Sequence, residues 1–143
     1  MHGLVSLFLV FAAVVIGLIS VFRGSAFMAI AYLVIIFLST NVIIYSFCSK
    51  CACRLEACGH VLPAKIVGLL PTREEGSYTF PDIGGVVISL LLLFGFPQYW
   101  LLGNPALIII FWALIIIGLI EIRIYVCPGC SNENCPVCTK TEG

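Results

Sequence analysis

Three stretches of about twenty residues run without a single charged side chain, and a fourth carries charge only near its end. They are Gly3 to Phe22, Phe27 to Phe47, Ile83 to Leu102 and Ala106 to Val126. An α-helix needs about 20 mostly apolar residues to cross the roughly 30 Å hydrocarbon core of a bilayer. None of the runs alternates apolar and polar residues with the period of a surface helix or of a strand. They are apolar all round, as expected of helices that face lipid on one side and each other on the remaining sides. Composition agrees: 62% of the chain is hydrophobic and 10% is charged, against about 45–50% and 25% in soluble domains. Such a chain has too little polar surface to cover itself in water. The expected fold is an all-α membrane protein, a four-transmembrane-helix bundle.

The breaks between the runs are of two kinds. Arg23-Gly24-Ser25-Ala26 and Gly103-Asn104-Pro105 are tight turns. Residues 48–82 and 127–143 are longer, polar and rich in cysteine. Asp82 is a natural N-cap for the third run. The organisation is therefore a first hairpin (1–47), a Cys-rich loop (48–82), a second hairpin (83–126) and a Cys-rich tail (127–143). The first run is longer than the apolar region of a secretory signal, and no Lys or Arg precedes it, so it reads as a span. Within the loop, Val61 to Leu70 is apolar but too short to cross. It reads as a segment lying in the membrane interface with Lys65 reaching outward, a re-entrant segment being the alternative.

Two hairpins place the N-terminus, the loop and the tail on one face. That face carries Lys50, Arg54, Lys65, Arg73, Arg123 and Lys140, whereas the opposite face carries Arg23 alone. Lys and Arg favour the cytoplasmic side, so both termini are expected in the cytoplasm. Tyr99 and Trp100 suit an aromatic belt at the opposite surface. Zero formal net charge and the lack of a basic stripe exclude nucleic-acid binding by phosphate neutralisation.

All eight cysteines lie outside the apolar runs. The loop reads Cys48-x2-Cys51-x-Cys53-x4-Cys58-x-His60, and the tail reads Cys127-Pro-Gly-Cys130-x4-Cys135-Pro-Val-Cys138. Three Cys-x2-Cys pairs suit a tetrahedral zinc ion, which takes four Cys or three Cys and one His. An iron–sulfur cluster also takes four Cys, and disulfides are the third option. A cytoplasmic face keeps thiols reduced, which favours metal. The expected ligands are Cys48, Cys51, Cys53, Cys58, Cys127, Cys130, Cys135 and Cys138, with His60 either a ligand or an interfacial side chain. Only four residues separate the two tail pairs, so a pair from the loop and a pair from the tail sharing one ion is more comfortable than four tail ligands on one. The two clusters are thus expected to form one joint cytoplasmic cap.

Small residues recur at helical spacing in Ala13/Gly17 and Gly85/Ser89, a pattern that lets helices approach closely. Asn41, flanked by Ser39 and Thr40, is the most polar spot inside a run. It is expected to bond to a neighbouring helix or to line a substrate path. Glu121 and Arg123 are expected near the headgroups, Glu121 the deeper, and one intramembrane acid is too few for a proton relay. Trp112 is expected to serve packing. No nucleophile–base pair, phosphate loop or haem-attachment motif occurs, so no enzymatic activity is expected.

Four spans with a cysteine-bearing tail resemble, in architecture, the bacterial mercury-uptake membrane proteins. Those proteins carry a cysteine pair inside the first span, and Gly3 to Phe22 has none, so the resemblance does not extend to a transfer path. Three functions follow: a scaffold or interaction subunit with a zinc-bound cap and a protein partner at the cytoplasmic face; an iron–sulfur or dithiol redox subunit; and a soft-metal-ion transporter, which the lack of thiols along the spans disfavours.

Overall fold

The computed structural model describes residues 2–50 and 78–129, and all regular structure among them is helical. Helix α1 is His2–Gly24 and α2 is Ala26–Phe47, the latter continued by a 3-10 turn, Cys48–Lys50. Helix α3 is Phe80–Gly95, and the short α4, Gln98–Leu101, follows it. Helix α5 is Pro105–Glu121, continued by a π turn, Ile122–Val126, and a 3-10 turn, Cys127–Gly129. Together these make four helical segments long and apolar enough to cross a membrane: Gly3–Gly24, Ala26–Lys50, Phe80–Leu101 and Pro105–Val126.

The boundaries differ from the sequence expectation in ways that local chemistry explains. The first turn is a single residue. Arg23 and Gly24 stay helical, and only Ser25 adopts extended backbone (φ −161°, ψ 120°), its Oγ accepting the Met28 N–H. Helix α3 starts at Phe80 rather than Ile83, so Asp82 is not the N-cap. Thr79 holds that position, and Asp82 sits in the first turn, where its carboxylate accepts the Thr79 N–H at 3.0 Å and the Thr79 hydroxyl at 2.6 Å. This is the acidic half of a capping box, which the Thr-x-x-Asp spacing encodes. At the second turn Asn104 caps α5, its Oδ1 accepting from the N–H groups of Ala106 and Leu107.

The third run is not one continuous helix. Proline has no N–H and cannot bond the carbonyl four residues earlier. Pro97 therefore leaves the Leu93 carbonyl without its helical donor, and the chain turns over Phe96–Pro97 before α4 resumes. Two side chains act on the broken ladder. The Tyr32 hydroxyl, from α2, donates to the Leu93 carbonyl at 2.7 Å. The Gln98 amide donates to the Phe94 carbonyl at 2.6 Å and accepts the Trp112 indole N–H at 3.3 Å. Trp112 is thus a hydrogen-bonding residue and not a packing residue alone.

Packing runs chiefly between the two hairpins. Helix α1 packs most extensively on α5 and α2 on α3, while α1 and α2 also adjoin. The pairings follow from the small residues. Ala13 is fully buried in a cluster with Leu101, Phe111 and Ile115. Gly17 lies where α1 meets the kink: a Cβ there would stand 3.2 Å from Pro97 and from the Tyr32 hydroxyl. Gly85 faces Val42 and Ser46 of α2. A second cluster joins Val21, Ala29 and Tyr32, with Phe96 and Trp100 packed against it. Tyr32 and Phe96 stack with ring centroids 5.4 Å apart. Trp100 covers Gly24 at the first turn, so it is a packed residue and not only a belt residue, whereas Tyr99 stays exposed.

Candidate functional site

The antiparallel course of α1 and α2, with α5 against α1 and α3 against α2, brings the start of α1, the end of α2, the start of α3 and the end of α5 to one end of the bundle. Gly118, near the end of α5, lies against Ser6 and Val10 of α1, and Gly85, near the start of α3, lies against Ser46 of α2. Both described cysteines are at this end.

Cys48 directly follows α2, its N–H bonded to the Ile44 carbonyl, and it is a half-buried thiol. The turn that carries it is held tightly. The Ser49 hydroxyl, fully buried, donates to the Tyr45 carbonyl. Lys50 donates to the Asp82 carboxylate at 2.6 Å, with the two side chains 9% and 4% exposed. The Tyr78 ring packs on Phe47 at 4.9 Å, and its hydroxyl reaches the Phe47 carbonyl at 3.4 Å. The described residues that flank 51–77 are therefore held to one another by an ion pair and a stacked ring pair beside a capped helix start. A buried ion pair is tolerable when further donors satisfy the carboxylate, and the N–H and hydroxyl of Thr79 do so here.

Cys127 follows the π turn, its N–H bonded to the Ile122 carbonyl, and it is disulfide-bonded; the other half lies outside the described residues. A π turn admits an extra residue per turn and is frequent at functional sites. Here it lies directly before the first tail cysteine, on the stretch of chain that packs against α1. Glu121, half-buried, sits one residue before the π turn, and Arg123 is exposed within it.

Of the expected ligands, Cys51, Cys53, Cys58, His60, Cys130, Cys135 and Cys138 lie outside the described residues. Among the described residues no three His, Cys, Asp or Glu side chains gather in one place. The structure therefore brings the emergence points of both clusters to one end. It also places Cys48 and Cys127 on helices that are not principal packing partners: α1 packs against both α2 and α5.

The clamp of Lys50, Asp82 and Thr79 was not foreseen from sequence, where Lys50 counts only as an orienting charge. Its signal was present in the Thr79–Asp82 spacing. No family model, curated protein or solved structure matches this chain.

Proposed function

We propose that the chain is an integral multi-pass membrane protein with both termini in the cytoplasm, whose cysteine-bearing end holds zinc in a small cap that contacts a partner protein. The observation that supports this most is the emergence of both Cys-x2-Cys clusters at the same end of the bundle, each starting on a helix end. The Lys50–Asp82 pair anchors the first, and the contact of the π turn with α1 anchors the second. Fixed starting points lower the ordering cost of a metal site. A polar segment of seventeen residues buries too little apolar area to fold without an ion or a docking surface. The excess of Lys and Arg at this end supports the cytoplasmic orientation.

Zinc requires thiolates, so Cys127 serves as a ligand only in its reduced form. Elemental analysis of protein purified anaerobically with reductant, paired with a thiol count, tests the reading. At least one zinc per chain supports it; less than one removes it.

The Cys127 disulfide favours a second reading, a dithiol–disulfide couple at the membrane face. There the disulfide takes two electrons and two protons from a partner dithiol, leaving two thiols here and a disulfide on the partner. A reversible gain of two thiols per chain on treatment with a dithiol, in metal-free protein, supports this reading. An iron–sulfur version gives brown protein containing iron.

A further inference from the structure

Asn41 was expected to bond across the bundle or to line a path through it, and among the described residues it does neither. Its Nδ2 donates to the Phe37 carbonyl of its own helix at 2.7 Å, and the side chain is exposed on the outer surface of α2. The second N–H and the Oδ1 acceptor have no partner among the described residues. Asn41 lies six residues before Phe47, so at 1.5 Å per residue it sits about 9 Å inside the apolar run. If the chain is inserted as proposed above, that position is in hydrocarbon, where an amide with spare donor and acceptor is costly.

The surroundings define a face. Val34, Phe37, Leu38 and Tyr45 are exposed with Asn41 at helical spacing, making a stripe along the outside of α2. Helix α5 is as open to the outside as α2. Its outer surface, however, presents aliphatic side chains such as Ile109, Ile116 and Ile120. Only lipid is needed there, whereas the α2 face presents a group that lipid cannot satisfy.

We infer that this face of α2 docks on the same face of a second copy of the chain. An amide is both donor and acceptor, so it is complementary to itself. Copies inserted in one orientation place Asn41 at one depth, and a twofold axis along the membrane normal sets the two α2 helices parallel with Asn41 opposite Asn41. Each Oδ1 then accepts the spare N–H of the other. A single asparagine in the seam of two parallel helices is an established device for fixing register and partner number.

The full chain carrying a C-terminal fluorescent protein, reconstituted in phosphatidylcholine vesicles over a range of protein-to-lipid ratios, tests this by counting bleaching steps. Two-step traces should dominate above a midpoint ratio. Asn41→Leu should raise that midpoint about tenfold, and Asn41→Gln should leave it within about threefold. Because the Asn41 side chain is exposed and its hydrogen bond stays within its own helix, helix content of Asn41→Leu should match wild type, as should its melting at dilutions where both proteins are monomeric. Phe37→Ala, on the same exposed stripe, gives an independent second perturbation and should also raise the midpoint. Single-step traces at every ratio, or an unchanged midpoint in Asn41→Leu, overturn the inference. Resistance to carbonate extraction reports insertion separately, so loss of dimerisation and failure of the membrane reading are distinguishable.

Discussion

The Tyr32 hydroxyl hydrogen-bonds the Leu93 carbonyl at 2.7 Å, and that carbonyl is the one Pro97 leaves without a helical donor. A phenol on α2 thus stands in for a backbone N–H missing from α3, and the bundle is tied together at its own weak point. Tyr32→Phe should lower stability by about 1 kcal/mol, within the range for hydrogen bonds between membrane helices. Pro97→Ala restores an N–H at that position. The cost of Tyr32→Phe should then be at most half as large in the Pro97→Ala background, measured by denaturation in mixed micelles. Equal costs in the two backgrounds would mean that the hydroxyl does not replace the missing donor.

Glycine substitutions should have opposite signs at two sites. In an open helical position Gly→Ala stabilises by up to about 1 kcal/mol. Nothing lies within 4 Å of a Cβ at Gly84, so Gly84→Ala should raise the melting temperature or leave it unchanged. At Gly17 the Cβ would press on buried Pro97 at 3.2 Å and on the Tyr32 hydroxyl. Gly17→Ala should therefore destabilise by about 1–3 kcal/mol, as overpacking does. Matching melting temperatures for the two variants would show that α1 does not need to approach the kink so closely.

Much of this architecture was legible in the chain itself. Hydropathy reads out four spans because the bilayer demands a fixed length of apolar helix. Ala13, Gly17, Gly85 and Ser89 announced close packing. Gly103-Asn104-Pro105 marked a turn, within which Asn104 proves to be the cap, while Thr79 was passed over and Asp82 was assigned its place, because both residue types cap and the apolar run does not mark which one does. The break at Pro97 was hidden for a different reason. Its neighbours are apolar enough to keep the run continuous, and the donor that compensates for it lies 61 residues from Leu93 in sequence. Periodicity cannot reveal so distant a partner. Asn41 was noticed as polar, but which way it points depends on which face of α2 meets α1 and α3, and a uniformly apolar helix does not encode that.

The Lys50–Asp82 pair should be strongly coupled. Its side chains are 9% and 4% exposed, and removing one member of such a pair leaves a buried charge at a cost of about 3–5 kcal/mol. Lys50→Met should fall near the lower end of that range, because the Thr79 N–H and hydroxyl still serve the carboxylate. Lys50→Met combined with Asp82→Asn should cost less than the sum of the two single changes, by 1 kcal/mol or more. Additive costs in chemical denaturation would show that the two ends of the 51–77 stretch are not held together by this charge pair.

The final prediction concerns how the two cysteine clusters meet. Cys48 and Cys127 leave the bundle at the same end, but on α2 and α5, with α1 packed against both. At roughly 8–10 Å between packed axes, the two starting points are more than one helix spacing apart. Cys51 and Cys130 each follow a 3-10 turn, Cys48–Lys50 and Cys127–Gly129, which at about 2 Å per residue carries each of them about 6 Å from its starting point, roughly 12 Å together. A pair from the loop and a pair from the tail can therefore meet over the start of α1 without moving a helix, once Cys127 is reduced. The tail holds Val137 as its single aliphatic side chain, so it has no core of its own and depends on the loop for its remaining ligands. Changing Cys127, Cys130, Cys135 and Cys138 to Ser together should then abolish zinc binding altogether, because each ion loses two of its four thiolates. Independent clusters would instead keep the loop's share, about half of the metal. Zinc per chain in the reduced quadruple variant, measured against wild type in the same preparation, separates the outcomes: near zero for a joint cap, near half for two separate sites.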